Sequence, residues 1–169
     1  MKIFLAADHR GFELKEALKP WLQSLGHTLE DCGNTQLDPA DDYVDFTRRA
    51  VKKLLLEYST RSVSPAAPST ATPSPDHSAP LLSATAIGIC GSGIGVSIAA
   101  NRSLHIRCAL CMSPAHAAHA RRNDHANMLA LASEYVSLDQ AQAIVIAFLT
   151  TEESQTEKYN RRTIKLDAL

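Results

Sequence analysis

Strand-length apolar runs alternate with segments of helical period along most of the chain, and this alternation restricts the fold more than any other feature. Residues 2–7 (KIFLAA) read as a buried strand, and after the loop "DHRG" residues 12–25 carry apolar side chains at helical spacing. Pro20 inside that segment is expected to kink or reset the helix, and Gly26 to close it. Residues 27–31 read as a second strand, "GNTQLDPADD" as a loop, and 43–58 as a helix with a basic outer face. Further strands are expected at 85–90, 106–111 and 127–132, and helices at 95–101, 114–122 and 138–150. Strands alternating with helices predict an α/β fold, a parallel sheet of about five strands covered on both faces.

Two segments break the rhythm. Residues 59–84, "STRSVSPAAPSTATPSPDHSAPLLSA", are dominated by Pro, Ser, Thr and Ala and have no periodicity. Such a stretch buries too little surface to offset its ordering entropy and is expected to be a disordered surface insertion. The tail, 151–169, is polar with a late apolar stripe, and is expected to pack on a neighbouring subunit against the single domain formed by 1–150.

The 169 residues suit one domain, and a net charge of −1 argues against a nucleic-acid partner. No apolar run approaches the roughly 18–20 residues of a membrane span. The apolar run in "MKIFLAADHRG" is too short for a signal sequence, which leaves a cytoplasmic location as the default. In that compartment Cys32, Cys90, Cys108 and Cys111 are expected to be free thiols. Cys108 and Cys111 with His116 and His119 superficially resemble a zinc set, but residues three apart in a strand point to opposite faces. "RRAVKK" (48–53) reads as a solvated helix face.

The chemistry-bearing stretch is "GICGSGIGVSIAANR", 88–102. Cys90 closes an expected strand, at the end of a parallel sheet where ligands bind. Gly91, Gly93 and Gly95 let backbone N–H groups turn towards an anion, and the positive end of the next helix would favour a thiolate at Cys90. A thiolate beside such donors can take a proton from a carbon next to a carbonyl. Spacing alone fits a tight turn around a packing cysteine equally well. The glycines form G-x-G-x-G, neither a dinucleotide fingerprint nor a P-loop. Asp8 and His9 follow the first strand and reach the same rim, His9 as a phosphate or proton-handling group and Asp8 alternatively as a helix cap. Asp41 and Asp42 precede a helix that they can cap.

Together "AADHRGFELK" (6–15), "DDYVDF" (41–46) and "ICGSGIGVSIAANR" (89–102) resemble the type B ribose-5-phosphate isomerases, a family that also includes the galactose-6-phosphate isomerase subunits. The resemblance covers almost everything outside 59–84. It implies a Rossmann-like three-layer sandwich, a homodimer or tetramer, no metal or cofactor, and interconversion of aldose and ketose phosphates through an enediolate. It implies that Cys90 moves the proton between sugar C1 and C2, with Ser92 and the N–H groups of Gly91, Gly93, Ile94 and Gly95 holding the enediolate oxygen. Asp8 and His9 would contact the sugar phosphate, and Asp42 would face its hydroxyls or orient neighbours.

The chain departs from the family's His-Asn-Asp-x-Asn at "NDHAN" (123–127). Asn123 takes the position of the ring-opening histidine and Asp124 that of a substrate-contacting asparagine, with His125, two residues on, as the substitute through a local shift. A family arginine falls on Glu134. A unit charge at about 4 Å and an effective dielectric of ~20 is worth roughly 4 kcal/mol, so that reversal is not neutral if Glu134 faces a phosphate. Two tail arginines fall on Lys158 and Arg162, the lysine lacking the bidentate fork. The alternatives are a member tuned to another sugar, or a non-catalytic or partner-dependent subunit.

Overall fold

Successive side chains of a strand point to opposite faces of a sheet, and here each face has its own core. In β1 (Lys2–Ala7), Ile3, Leu5 and Ala7 pack with Leu18 and Leu22 of α1 (Phe12–Ser24), Ala117 of α4 (Pro114–Asp124), and Ile144 and Phe148 of α5 (Leu138–Thr150). Phe4 and Ala6 face the other way, towards Phe46, Ala50 and Leu54 of α2 (Tyr43–Ser62) and Val96 and Ala100 of α3 (Ile94–Ala100). These coordinates, a computed structural model, describe residues 1–62 and 83–169.

Among the described residues the sheet has five strands, all parallel, in the order β2-β1-β3-β5-β4, with β2 at Thr28–Asp31, β3 at Ala84–Cys90, β4 at Cys108–Leu110 and β5 at Met128–Ala132. The three-layer α/β expectation therefore holds. Every residue of β3 and β5 is buried, as required of central strands covered on both sides. β1 and β3 are neighbours, yet α1 leaves β1 on one face and α3 leaves β3 on the other. Their carboxyl ends thus form the switch point at which ligands enter such sheets.

Several boundaries moved for identifiable reasons. β4 is shorter than the expected 106–111 because side chains take its first N–H groups: Arg107 N donates to Asn127 Oδ1 and Cys108 N to Asn101 Oδ1. α1 runs through Pro20 to Ser24 and is closed by Gly26 N donating to Gln23 O and His27 N to Leu22 O. α2 extends to Ser62 and β3 begins at Ala84, while most of the expected disordered insertion, 63–82, lies outside the described residues. The tail forms a sixth helix, α6 (Glu157–Leu166), which the sequence reading did not anticipate. It is tied at both ends to the amino edge of the sheet. Ser154 N donates to Arg122 O, and the Arg107 guanidinium grips both oxygens of Asp167 at 2.7 and 2.9 Å. Among the described residues no helix is long and apolar enough to cross a membrane.

Among the described residues one cation is fully enclosed. Lys15 is 0% exposed, and its Nζ donates to both oxygens of Asp31 at 3.0 and 2.7 Å and to the Asn34 carbonyl. A buried charge persists only when paired in this way. Burial pushes the Asp31 carboxyl up, but hydrogen bonds from Lys15, Lys19 and the Gly33 N–H outweigh it and hold the group below its ordinary value. Asp31 therefore binds its proton less tightly folded than unfolded. Its contribution is complete above the unfolded value, about pH 4, and is lost as pH falls through the lowered folded value. The expected outcome in calorimetry is a melting temperature whose Asp31-dependent part is constant from about pH 7 to 5 and falls away below about pH 4. Asp31→Asn should lower it at pH 7 and flatten that acid limb.

Candidate active site

The β1–β3 register pairs Ala7 with Ile89, so Asp8 and Cys90 are the next residues of adjacent strands, and Asp8 N donates to Ile89 O. Cys90 thus stands beside the Asp8-His9 loop by strand pairing alone. Its side chain packs on the α2–α3 face, the residue is 4% exposed, and its Sγ accepts the Gly93 N–H at 3.2 Å. Gly93 reaches that position with φ 71°, a left-handed conformation that a side chain disfavours. Ile94 N donates to Ser92 Oγ at 3.3 Å. The loop's N–H groups are therefore not all turned outward as expected: Gly93 serves the sulfur and Ile94 serves Ser92. The Tyr43 ring covers Gly95.

The loop after β5 clamps this region. Ser133 N donates to Cys90 O and Glu134 N to Gly91 O, each at 3.0 Å. Ser133 Oγ lies 2.9 Å from Arg10 O and 3.2 Å from Cys90 O, bridging the β1 and β3 loops. Glu134 forms an ion pair with Arg10 across Gly91.

Asp8 is 5% exposed and uses Oδ1 to accept the N–H groups of Arg10 and Gly11, both at 3.0 Å, so it shapes the turn into α1. His9 is held twice by Asp41, through its N–H at 2.8 Å and its ring Nδ1 at 2.9 Å. Asp41 also accepts from Asn34 Nδ2, and the Asn34 carbonyl is fixed by the buried Lys15. With Nδ1–H on a carboxylate, the ring presents Nε2 away from Asp41. Asp42, which the sequence reading preferred, is exposed and accepts the Val44 N–H at the start of α2, while the orienting position belongs to Asp41.

The remaining expected site residues are elsewhere. α4 starts at the carboxyl end of β4 and descends to the amino end of β5, so Asn123 and Asp124 lie a strand length, on the order of 15 Å, from the level of Cys90. Asn123 Nδ2 is 3.2 Å from the His119 ring, and His119 and Asp124 line a cavity of about 790 Å³ with His105, Arg107 and His116. Lys158 and Arg162 are exposed on α6, at this same end. His125, the expected substitute for the ring-opening histidine, is turned inward. It caps α4 with φ 50°, is 7% exposed, and donates from Nε2 to the Ser154 carbonyl at 3.0 Å. Glu153 stands 3.7 Å from its Nδ1. The helix ends where the shift was expected, which turns His125 inward.

The other three thiols are core residues. Burial pushes Cys32 up to about 11 and Cys111 up to about 12, and raises Cys108 further. Cys108 and Cys111 belong to cores on opposite faces of the sheet, as their three-residue spacing predicts.

The chain matches the ribose/galactose isomerase family over residues 3–64 and 81–166. It is 33% identical over 162 residues to ribose-5-phosphate isomerase B of Mycobacterium tuberculosis, covering 96% of this chain and 85% of that protein. Among solved structures it is similar to a ribose 5-phosphate isomerase from Thermotoga maritima, with TM-score 0.81, 33% identity, and 99% and 98% of the two chains covered. It is also similar to ribose-5-phosphate isomerase B of Mycoplasma genitalium with bound ribulose-5-phosphate, with TM-score 0.79, 30% identity, and 99% and 94% covered.

Gly93 tests the loop geometry. An alanine there would be strained by the positive φ, and its Cβ would stand 2.5 Å from Leu110 Cδ1. Gly93→Ala is expected to cost about 2 kcal/mol or more in urea unfolding, the left-handed penalty plus the clash.

Proposed function

Because the chain belongs to the ribose/galactose isomerase family, we propose that it interconverts an aldose phosphate and a ketose phosphate of the ribose 5-phosphate/ribulose 5-phosphate type, with Cys90 as the base. The observation that carries this reading is the strand pairing that sets Cys90 beside Asp8 and His9 at the switch point. In the open-chain aldose, Sγ removes the proton on C2, and the electrons pass to the C1 carbonyl oxygen, forming an enediolate. Gly91, Ser92 and Gly95 line that charge. His9, steadied by Asp41, moves the proton between the two sugar oxygens through Nε2. Sγ then returns its proton to C1, giving the ketose. A base held beside prearranged donors lowers this barrier because little reorganises during reaction.

A site that also uses Asn123, Asp124, Lys158 and Arg162 requires a second copy, since these residues sit at the opposite end of the sheet. Ile94 and Ile98 support that reading. They lie one turn apart on α3, 55% and 61% exposed, next to the Cys90 loop. Leu104 and Met112 are exposed at 55% and 44%. On α6, Ile164 and Leu166 are exposed at 70% and 47%, in keeping with a tail that also meets a partner. A partner-dependent or retuned member is the second reading, favoured by the burial of His125. It accepts sugars already open.

Two outcomes test these proposals. Ketose phosphates of four to six carbons incubated in deuterated water should exchange the proton next to the carbonyl with the wild-type chain. With Cys90→Ala the rate should fall at least ~10³-fold, and exchange equal to wild type would remove Cys90 from the reaction. By sedimentation the chain should be a dimer at micromolar concentration. Ile98→Glu, which places a charge in the apolar patch, should shift it to monomer and reduce exchange. A wild-type monomer with full exchange would refute the shared site.

A further inference from the structure

The rim carries one feature that the reaction scheme leaves unused: the pairing of Arg10 with Glu134, residues 124 apart in sequence, directly over Gly91. An ideal Cβ on Gly91 would stand 2.7 Å from Glu134 Oε1 and 2.8 Å from Arg10 Cδ, so both side chains cross the loop that follows Cys90. They are placed from below by backbone: Glu134 N donates to Gly91 O, and Ser133 Oγ lies 2.9 Å from the Arg10 carbonyl. Both are open to water, 60% of the Arg10 side chain and 46% of the Glu134 side chain being exposed. Such a pair is weak and easily exchanged. Glu134 engages Nη1 of Arg10, one nitrogen of a group with five N–H donors in a planar fork.

We propose that Arg10 binds the anionic end of the substrate, a phosphate monoester, and that Glu134 is its resident counter-ion, displaced from the guanidinium when phosphate arrives. This rests on the isomerase reading for its substrate and deepens it. The positive charge removed at position 134 is supplied from the β1 loop, on the other side of Gly91. A phosphate monoester carries close to two charges and three acceptor oxygens, so it outcompetes a single carboxylate for the fork. Glu134 then sets affinity by opposing the incoming charge.

The two residues therefore have opposite signs in one experiment on the full-length chain. Binding of inorganic phosphate is measured by calorimetry or phosphorus NMR, alongside KM and kcat for ribose 5-phosphate and the melting temperature. Arg10→Ala is expected to weaken phosphate binding and raise KM by about tenfold or more, with a smaller fall in kcat; Arg10→Lys, with charge but no fork, should fall between. Glu134→Gln should tighten phosphate binding by about threefold. A merely structural pair would lower the melting temperature in both variants and leave phosphate affinity alone. Failure of the wild type to bind phosphate at millimolar concentration overturns the proposal, as does an Arg10→Ala affinity within twofold of wild type. Weaker binding by Glu134→Gln overturns the counter-ion role. If no variant, wild type included, turns over a sugar phosphate while Arg10→Ala still loses phosphate, the isomerase reading falls and the anion site stands.

Discussion

An ammonium group with no access to water organises the rim. Moving such a charge out of solvent costs several kcal/mol, so its partners must be close to ideal in number and geometry. Lys15 finds them in Asp31, at the end of β2, and in the carbonyl of Asn34. That requirement fixes the chain just past β2. Asn34 then presents its amide to Asp41, which accepts both the backbone and the ring of His9. Each polar need in the series is met by the next, from the interior of α1 outward to the imidazole. A rim held in this way is already arranged before a ligand arrives, the condition under which fixed dipoles are most effective.

The connectivity of the sheet explains why the site residues divide into two groups. In a parallel sheet every helix returns the chain from the carboxyl ends of the strands to the amino ends. Residues that end strands or directly follow them, such as Cys90, Asp8, His9, Ser133 and Glu134, gather at one end. Residues that precede strands, such as Asn123 and Asp124, gather at the other, where α6 is tied down by Arg107 and Asp167. No loop adjustment moves a residue from one group to the other without unwinding α4. Under the dimeric reading, a second copy brings its amino-end group to this rim, and the exposed isoleucines of α3 are suitably placed to be covered at the same time.

The elements that were legible in the sequence are those whose pattern has one physical cause. The run KIFLAA and its equivalents in β3 and β5 are apolar because both faces of a central strand are covered, and their positions came within a residue of the structure. β4 was harder to delimit because Asn101 and Asn127, remote in sequence from its ends, take its first N–H groups. α6 is harder to read because it is short and its apolar side chains, Ile164 and Leu166, stay exposed, so the late stripe of the tail reads as a contact with a partner rather than as a helix of this fold. Among site residues, Cys90, Asp8 and His9 could be placed from their position after strands. Asp41 rather than Asp42 as the partner of His9 could not, since both are acids ahead of the same helix and only the loop path chooses between them. The inward turn of His125 is not legible in the local sequence, because its burial depends on Ser154 and Glu153, beyond the next helix.

The rim is less acidic than its composition suggests. Asp8, Asp41 and Glu134 all stand there, and a count of formal charges against Arg10 and His9 would have it repel a phosphate. Geometry changes that sum. Asp8 Oδ1 accepts two backbone N–H groups, Asp41 accepts from His9 and Asn34, and Glu134 is paired with Arg10. A carboxylate already supplied with donors projects a weaker field, because the donors' dipoles offset part of its charge. Asp8 and Asp41 therefore act as structural anions that point N–H groups and an imidazole in fixed directions. Glu134 differs, since its partner is a mobile, solvent-exposed side chain rather than backbone. Of the three acids it is the one whose charge an incoming anion meets, and the one whose partner that anion can take.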